Sequence, residues 1–185
     1  RDVWPAVERW TVWDPDGWVT GAAIHWVDAR PLGLEAPGAV RRWRRWLAQQ
    51  GRVPPSRRTL ARDLSNMLVF DYLIGHWDRF REGGVQGTPD GKRLYLRDHN
   101  KAFAAPLPRA LHRRLADRLV RAERLAALTA RRLREELAAD PGDLAGAPLL
   151  SDAQVAAVMD RREAILSHVG ALVDAHGERR VLAFR

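Results

Sequence analysis

The chain of 185 residues contains no cysteine, and only two of its 31 basic residues are lysine. The lack of cysteine excludes disulfides, thiolate metal sites and cysteine nucleophiles. No run approaches the roughly eighteen apolar residues of a membrane span. No signal peptide is visible, so we expect a cytoplasmic protein. Because residue 1 is arginine, we expect the chain to be processed or a fragment.

The composition is otherwise that of a globular protein. Apolar residues make up 46% of the chain and charged residues 29%, which is enough to bury a sizeable core. The net charge of +8 suits a nucleic-acid partner. The arginines are spread over several segments, however, so we do not expect nucleic acid as the main partner. An Arg-rich nucleic-acid-binding domain stays open as a further alternative.

The hydrophobic patterns predict an α+β chain that is mostly helical. Turn sequences containing Pro, Asp and Gly separate short arms that resemble strands, whereas longer segments carry apolar residues at helical spacing. A capping box marks the start of the last long helix. We predict β-hairpins over 9–27 and 85–98, and helices over 39–50, from 54 to 75, from 111 to about 137, and from 151 to 177.

Residues 66–80 and 94–103 each deliver an aspartate to a predicted loop. The first segment is a mostly apolar helix that stops at a glycine, and Asp78 follows in the loop. The second is a strand whose alternation places Asp98 at the inner end of its buried face. Two carboxylates presented in this way suit phosphoryl transfer. One would orient the attacking hydroxyl, and the other would hold a divalent metal on the nucleotide phosphates.

Neighbouring residues are assigned supporting roles. Asn100 is a candidate second oxygen ligand for the metal, and Lys101 and Arg79 are candidate phosphate partners. Asp71 and His76 are predicted to support the loop structurally, with Asp71 anchoring it through hydrogen bonds from the buried helix.

Each acid also has a purely structural interpretation. Asp78 can form a solvated salt bridge in its loop, and Asp98 can cap the turn that follows it. His76 and His99 flank the acids, but no H-x-x-x-H or H-x-x-E-H pattern supports a zinc site.

Together the two segments resemble the atypical secretory-pathway kinases, the four-jointed and Golgi casein kinase group, and their bacterial relatives. Residues 69–79, VFDYLIGHWDR, are similar to the family segment F-D-x-L-x-G-N-x-D-R-H, and residues 95–103, YLRDHNKAF, are similar to x-D-N-G-x-x-F. The resemblance implies that Asp78 is the catalytic acid and Asp98 the metal ligand. It also implies ATP with Mg²⁺ or Mn²⁺, and an acceptor hydroxyl on a protein, sugar or small molecule.

The sequence departs from this family within both segments. His76 stands where the family has Asn, Phe80 where it has His, and His99 and Asn100 where it has Asn-Gly. These changes affect the geometry of the catalytic loop and the way in which a metal would be held.

A two-lobed kinase also needs a glycine-rich loop, a lysine and a paired glutamate upstream, and none precedes Asp78. The resemblance therefore implies that residues 1–37 are a hairpin and hinge left from an N-lobe, and that residues 38–185 are a kinase-like C-lobe. Such a catalytic unit is incomplete, and an N-lobe segment or a partner chain would complete it. The alternative is a pseudokinase or a regulatory interaction module.

Overall fold

A computed structural model describes residues 15–16, 27–81, 84–135 and 150–184. The described part of the chain is α+β and mostly helical, which confirms the predicted class. Its elements are, in order, β1 (Arg30–Pro31), α1 (Pro37–Leu47), a 3₁₀ turn (Pro55–Arg57), α2 (Arg58–Ile74), β2 (Gln86–Gly87), β3 (Leu94–Tyr95), α3 (Arg109–Leu119), α4 (Ala127–Glu135), α5 (Asp152–His176) and α6 (Glu178–Val181).

Helix α2 is the central helix of the described structure, and it packs against α1, α3 and α5. Leu64 and Leu68 lie in a cluster that includes Trp43 of α1. Val69 and Tyr72 lie in a second cluster with side chains of α3 and α5. The helix is therefore buried on most sides, which explains why its second half is apolar nearly all round.

Both ends of α2 follow from local sequence. Proline cannot continue a preceding helix but is tolerated in a first turn, and the 3₁₀ turn that leads into α2 begins at Pro55. Gly75 ends α2 with a φ of 70°, and its N–H points back to the carbonyls of Asp71 and Tyr72. Glycine adopts this left-handed conformation without strain, so the helix stops three residues before Asp78.

A three-stranded antiparallel sheet in the order β1-β2-β3 contacts α2 through β3. The hairpin predicted over 85–98 is confirmed as β2 and β3, with Gln86 opposite Tyr95. Strand β1 was not predicted, and it places Arg30 opposite Gly87. A Cβ at Gly87 would lie 2.1 Å from the carbonyl oxygen of Arg93, so the hairpin cannot accept a side chain there.

Two predicted helices have different bounds in the structure. Helix α1 covers 37–47 rather than 39–50, and its C-cap is Ala48. The helix predicted from 111 to about 137 is broken into α3 and α4. The break arises because the backbone at Leu125 exchanges hydrogen bonds with Val181 and Phe184 instead of continuing the helix.

The start and end of α5 are confirmed. The Ser151 side chain accepts from the Gln154 N–H, and the Gln154 side chain accepts from the Ser151 N–H, which completes the capping box. Gly177 ends the helix. No helix within the described ranges combines the length and the apolar character needed to cross a membrane.

Two predictions fall partly outside the described ranges. The hairpin over 9–27 is described only at residues 15–16, which form a turn, and at residue 27. The end of the helix predicted from 111 to about 137 lies beyond residue 135, where the described range stops. The division of the chain at residue 37 into an N-lobe remnant and a C-lobe stays a prediction.

Candidate functional site

The two motif segments meet around a buried ion pair between Asp71 and Arg79, which are 2% and 3% exposed. Arg79 Nε donates to both carboxylate oxygens of Asp71, at 3.1 and 3.2 Å, and Nη2 donates to Oδ1 at 2.9 Å. Two nitrogens of the guanidinium thus donate to one carboxylate, so the ion pair is also a bidentate hydrogen-bonded pair. Asp71, on α2, thus holds the residue that directly follows Asp78.

The same guanidinium reaches the second motif segment. Arg79 Nη1 donates to the carbonyl oxygen of Arg97, and Nη2 lies 3.0 Å from His99 Nδ1. Because a guanidinium can only donate, His99 Nδ1 is the acceptor and the ring proton is on Nε2. Arg97 and His99 are the two neighbours of Asp98. Arg79 therefore contacts the chain on both sides of Asp98, through the Arg97 carbonyl and the His99 ring, and joins it to the loop that carries Asp78.

This placement bears on the predicted role of Arg79. Its guanidinium is buried and bonded to Asp71, Arg97 and His99, so it is not available to bind a nucleotide phosphate. Arg79 instead positions the loop, a role that the sequence analysis assigned to Asp71 and His76.

The half-buried His99 ring packs against two other aromatic rings. Its ring centroid is 5.4 Å from that of Phe70 and 5.7 Å from that of His76, both in edge-to-face geometry. Burial lowers the pKa of His99, and the charges of Arg79 and His76 lower it further. The lowered pKa favours the neutral ring, which is the form that accepts from Arg79.

Asp78 lies at the edge of this cluster with 18% of its side chain exposed. The adjacent His76 is buried, and its Nδ1 lies 3.4 Å from Asp71 Oδ1. His76 Nε2 lies 3.0 Å from Asp78 Oδ1, at ion-pair distance but without the alignment of a hydrogen bond. One oxygen of Asp78 therefore contacts the buried histidine, while the carboxylate remains accessible to solvent.

Asp98 is exposed, which corrects the prediction that it lies at the inner end of a strand face. Strand β3 ends at Tyr95, because the carbonyl of Arg97 is drawn to Arg79 and the chain leaves the sheet. Asp98 has a φ of 56°, a left-handed conformation that aspartate adopts more readily than most residues with a side chain.

The donor set near Asp98 is small. Asn100 and Lys101 follow it, both exposed in a turn. Within the described ranges, no group of three or more His, Asp or Glu side chains has the arrangement of a metal site. Mg²⁺ in phosphoryl-transfer sites needs only one or two carboxylates, because phosphates and water complete its coordination. Asp98 and Asn100 therefore offer too few oxygen ligands for a metal held by this part of the chain alone, and a metal here would need further ligands from phosphate or water.

A residue that the sequence analysis missed holds the loop from its other side. Arg118 of α3 donates from Nη1 to the carbonyl oxygen of Trp77 at 3.2 Å and lies over the Phe80 ring at 4.7 Å. Phe80 also packs against Trp43, with ring centroids 5.8 Å apart. The sequence offers one weak signal for this contact, since Arg118 directly precedes Leu119 on the apolar stripe of α3.

Comparisons of this chain with protein-family models, with curated proteins and with solved structures found no match. The resemblance to the kinase group therefore rests on two short sequence segments. Residue roles must be argued from the contacts of this chain alone.

Proposed function

We propose that this chain carries the catalytic acids of a phosphotransferase with a kinase-like C-lobe. It would transfer a phosphoryl group from ATP, with Mg²⁺ or Mn²⁺, to a hydroxyl on a protein, sugar or small molecule. The observation that carries this proposal is the position of Arg79. It follows Asp78 and bonds to both neighbours of Asp98, so one buried side chain couples the two acids that phosphoryl transfer needs.

Asp78 is the catalytic residue in this proposal. As the acceptor oxygen attacks the γ-phosphorus, the Asp78 carboxylate orients the hydroxyl and accepts its proton, and ADP leaves with the electrons of the broken phosphoanhydride bond. His76 Nε2 lies 3.0 Å from Asp78 Oδ1, close enough to hold the carboxylate when this nitrogen carries a proton. The partial exposure of Asp78 allows a substrate hydroxyl to approach it.

Asp98 and Asn100 would hold the divalent metal, which supplies charge neutralisation on the nucleotide phosphates. Lys101 is exposed one residue later and is the nearest lysine in sequence to Asp98, so it is the candidate phosphate partner.

The upstream part of the proposed active site must come from elsewhere. The lysines of the chain are Lys92 and Lys101, and both follow Asp78. A kinase places a lysine on an N-lobe strand to bind the α- and β-phosphates. We therefore propose that an N-lobe segment or a partner chain completes nucleotide binding.

Formation of ADP from ATP and Mn²⁺, with dephosphorylated casein as acceptor, tests the proposal in the longest natural protein that contains this chain. Asp78→Asn should lower turnover by about 10²–10⁴-fold, because it removes the proton acceptor while keeping the shape of the side chain. Asp98→Ala should abolish stabilisation by Mn²⁺ and ATP in a thermal-shift titration, whereas Asp78→Asn should retain it. The matched control is Asp174→Asn, an exposed acid on α5. If Asp98→Ala formed ADP as fast as the wild type, the assignment of Asp98 as the metal ligand would be wrong.

A pseudokinase or regulatory module is the second candidate, and His99 is the observation that favours it. The family has Asn at this position, whereas His99 is packed against Phe70 and His76 and bonded to Arg79. A module without catalysis predicts no thermal stabilisation by Mn²⁺ and ATP in the wild type. Stabilisation that depends on Asp98 would exclude this alternative.

A further inference from the structure

A cleft lies at the start of α2, at the opposite end of this helix from Asp78. Its volume is about 660 Å³, within the range of small-molecule sites. Arg58 and Ile74 stand at the two ends of α2, so they are roughly 24 Å apart at a rise of 1.5 Å per residue. The cleft is therefore separate from the candidate phosphoryl-transfer site.

The lining of this cleft is strongly cationic. It includes Arg52, Arg58, Arg62 and Arg124, and none of the described residues that line it is acidic. Arg52 and Arg58 are exposed, and among the described residues neither has a hydrogen-bond or ion-pair partner. Four like charges around one cavity repel one another, so a bound anion would relieve that repulsion.

Arg124 is the preorganised member of this group. Its Nη1 donates to the carbonyl oxygens of Gly51, at 3.0 Å, and Trp46, at 3.3 Å, and its guanidinium lies 5.2 Å from the Phe184 ring centroid. Its Nε and Nη2 donate to no residue in the described ranges. Burial lowers the pKa of Arg124. The side chain is thus held in place with donors still available.

The cleft also offers apolar surface. Val53 and Pro55 line it beside the arginines and are half-buried and exposed, respectively, whereas Phe184 is 6% exposed. A bare inorganic anion would leave this apolar surface uncovered, whereas a ligand with an organic body would bury it.

We propose that this cleft binds a small ligand that carries two or more phosphate groups on an organic body, such as a nucleoside diphosphate. Arg52, Arg58 and Arg124 bind the phosphates, because guanidinium groups match phosphate oxygens in charge and geometry. Arg62 adds to the positive field while it remains bonded to Asp63. The organic body lies against Val53 and Pro55.

Isothermal titration calorimetry of the chain with ADP and with pyrophosphate, in EDTA at low salt, tests this proposal. EDTA removes the metal on which the candidate phosphoryl-transfer site depends, so the result is independent of the proposed function. We expect one ADP per chain, bound more tightly than pyrophosphate. The double substitution Arg52→Gln with Arg58→Gln should weaken binding about tenfold or more, as two charge-assisted contacts are lost.

The matched control is Arg113→Gln with Arg114→Gln. These exposed arginines line a smaller cleft of about 350 Å³ that also contains Asp117, and their removal lowers the net charge by the same amount. Affinity should change less than threefold in this control. Equal losses of ADP affinity in both double variants would show that binding depends on net charge alone and would overturn the site. The absence of saturable ADP binding by the wild type would overturn it as well.

Two further outcomes would overturn parts of the proposal. Pyrophosphate binding as tightly as ADP would remove the organic body from the ligand class. A single-stranded DNA oligonucleotide that binds more tightly than ADP, and loses affinity in both double variants, would replace the small ligand with nucleic acid.

Discussion

Replacing Arg79 with methionine removes a guanidinium that is 3% exposed and leaves the Asp71 carboxylate, 2% exposed, without its bidentate partner. Methionine is flexible and of similar length, so it fills much of the same space and the change is mainly electrostatic. The nearest remaining donor to Asp71 Oδ1 is His76 Nδ1, at 3.4 Å. Removing one partner of a buried ion pair costs about 3–5 kcal/mol, and the lost bond to the Arg97 carbonyl adds about 1 kcal/mol.

A double-mutant cycle measures how much of that cost belongs to the pair. Asp71→Asn alone leaves Arg79 buried with its charge unmatched, and it should also lower the unfolding free energy by several kcal/mol. The double variant leaves neither charge, so its loss should be smaller than the sum of the single losses by about 2 kcal/mol or more. Urea unfolding followed by circular dichroism measures these free energies.

The conservative control is Arg79→Lys, which keeps the charge but loses the fork. Its unfolding free energy should fall between those of the wild type and Arg79→Met. If the single losses add to within about 0.5 kcal/mol in the double variant, the two side chains do not interact and Arg79 does not hold the loop through Asp71.

Two other perturbations probe the same region. Gly75→Ala should lower the unfolding free energy by about 1–2 kcal/mol, because φ is 70° and the new Cβ would lie 3.4 Å from the Arg161 guanidinium carbon. Gly33→Ala, with a φ of 58° and no atom near the new Cβ, should cost less in the same urea assay. His99→Asn should flatten the pH dependence of unfolding below about pH 6.5. Because the pKa of His99 is lowered in the folded chain, the unfolded chain takes up the proton at a higher pH than the folded chain does. The unfolding free energy of the wild type therefore decreases as the pH is lowered, by at most about 1.4 kcal/mol per pH unit. An equal slope in wild type and variant would contradict the shift.

The elements that were predicted correctly are those with a local chemical signal. Proline at the start of α2, Gly75 at its end and the Ser151 capping box each constrain a few consecutive residues, and the structure follows them. The hairpin of β2 and β3 has its turn sequence at 89–91.

The errors arise where distant segments compete with a local pattern. The apolar stripe of α3 continues in sequence through Ala122 and Ala126, but the backbone near Leu125 bonds to Val181 and Phe184, which are more than fifty positions later. Strand β1 has only two residues and no alternation, so its pairing with β2 left no trace in the sequence. Propensity is a weak prior that such tertiary contacts override.

The candidate site likewise has features with a local sequence signal and features that depend on distant contacts. Two acids in two loops could be recognised from their segments, whereas the bond from Arg79 to the Arg97 carbonyl joins residues eighteen positions apart and decides that Asp98 is exposed. Alternation of apolar residues predicts which side chains share a face of a strand. It does not predict that the Arg97 carbonyl bonds to the buried Arg79 guanidinium instead of to a neighbouring strand.

The departures from the kinase segments follow from the same contacts. Phe80, in place of His, packs on Trp43 beneath Arg118, and His99, in place of Asn, accepts from Arg79. Each substituted side chain is therefore used inside the cluster that holds the loop, and neither Asp78 nor Asp98 loses its exposure to solvent. These two departures change how the loop is supported. The missing upstream lysine is the departure that the described contacts do not replace. Under the proposed function, nucleotide binding, more than proton transfer, would therefore be the step that needs another segment.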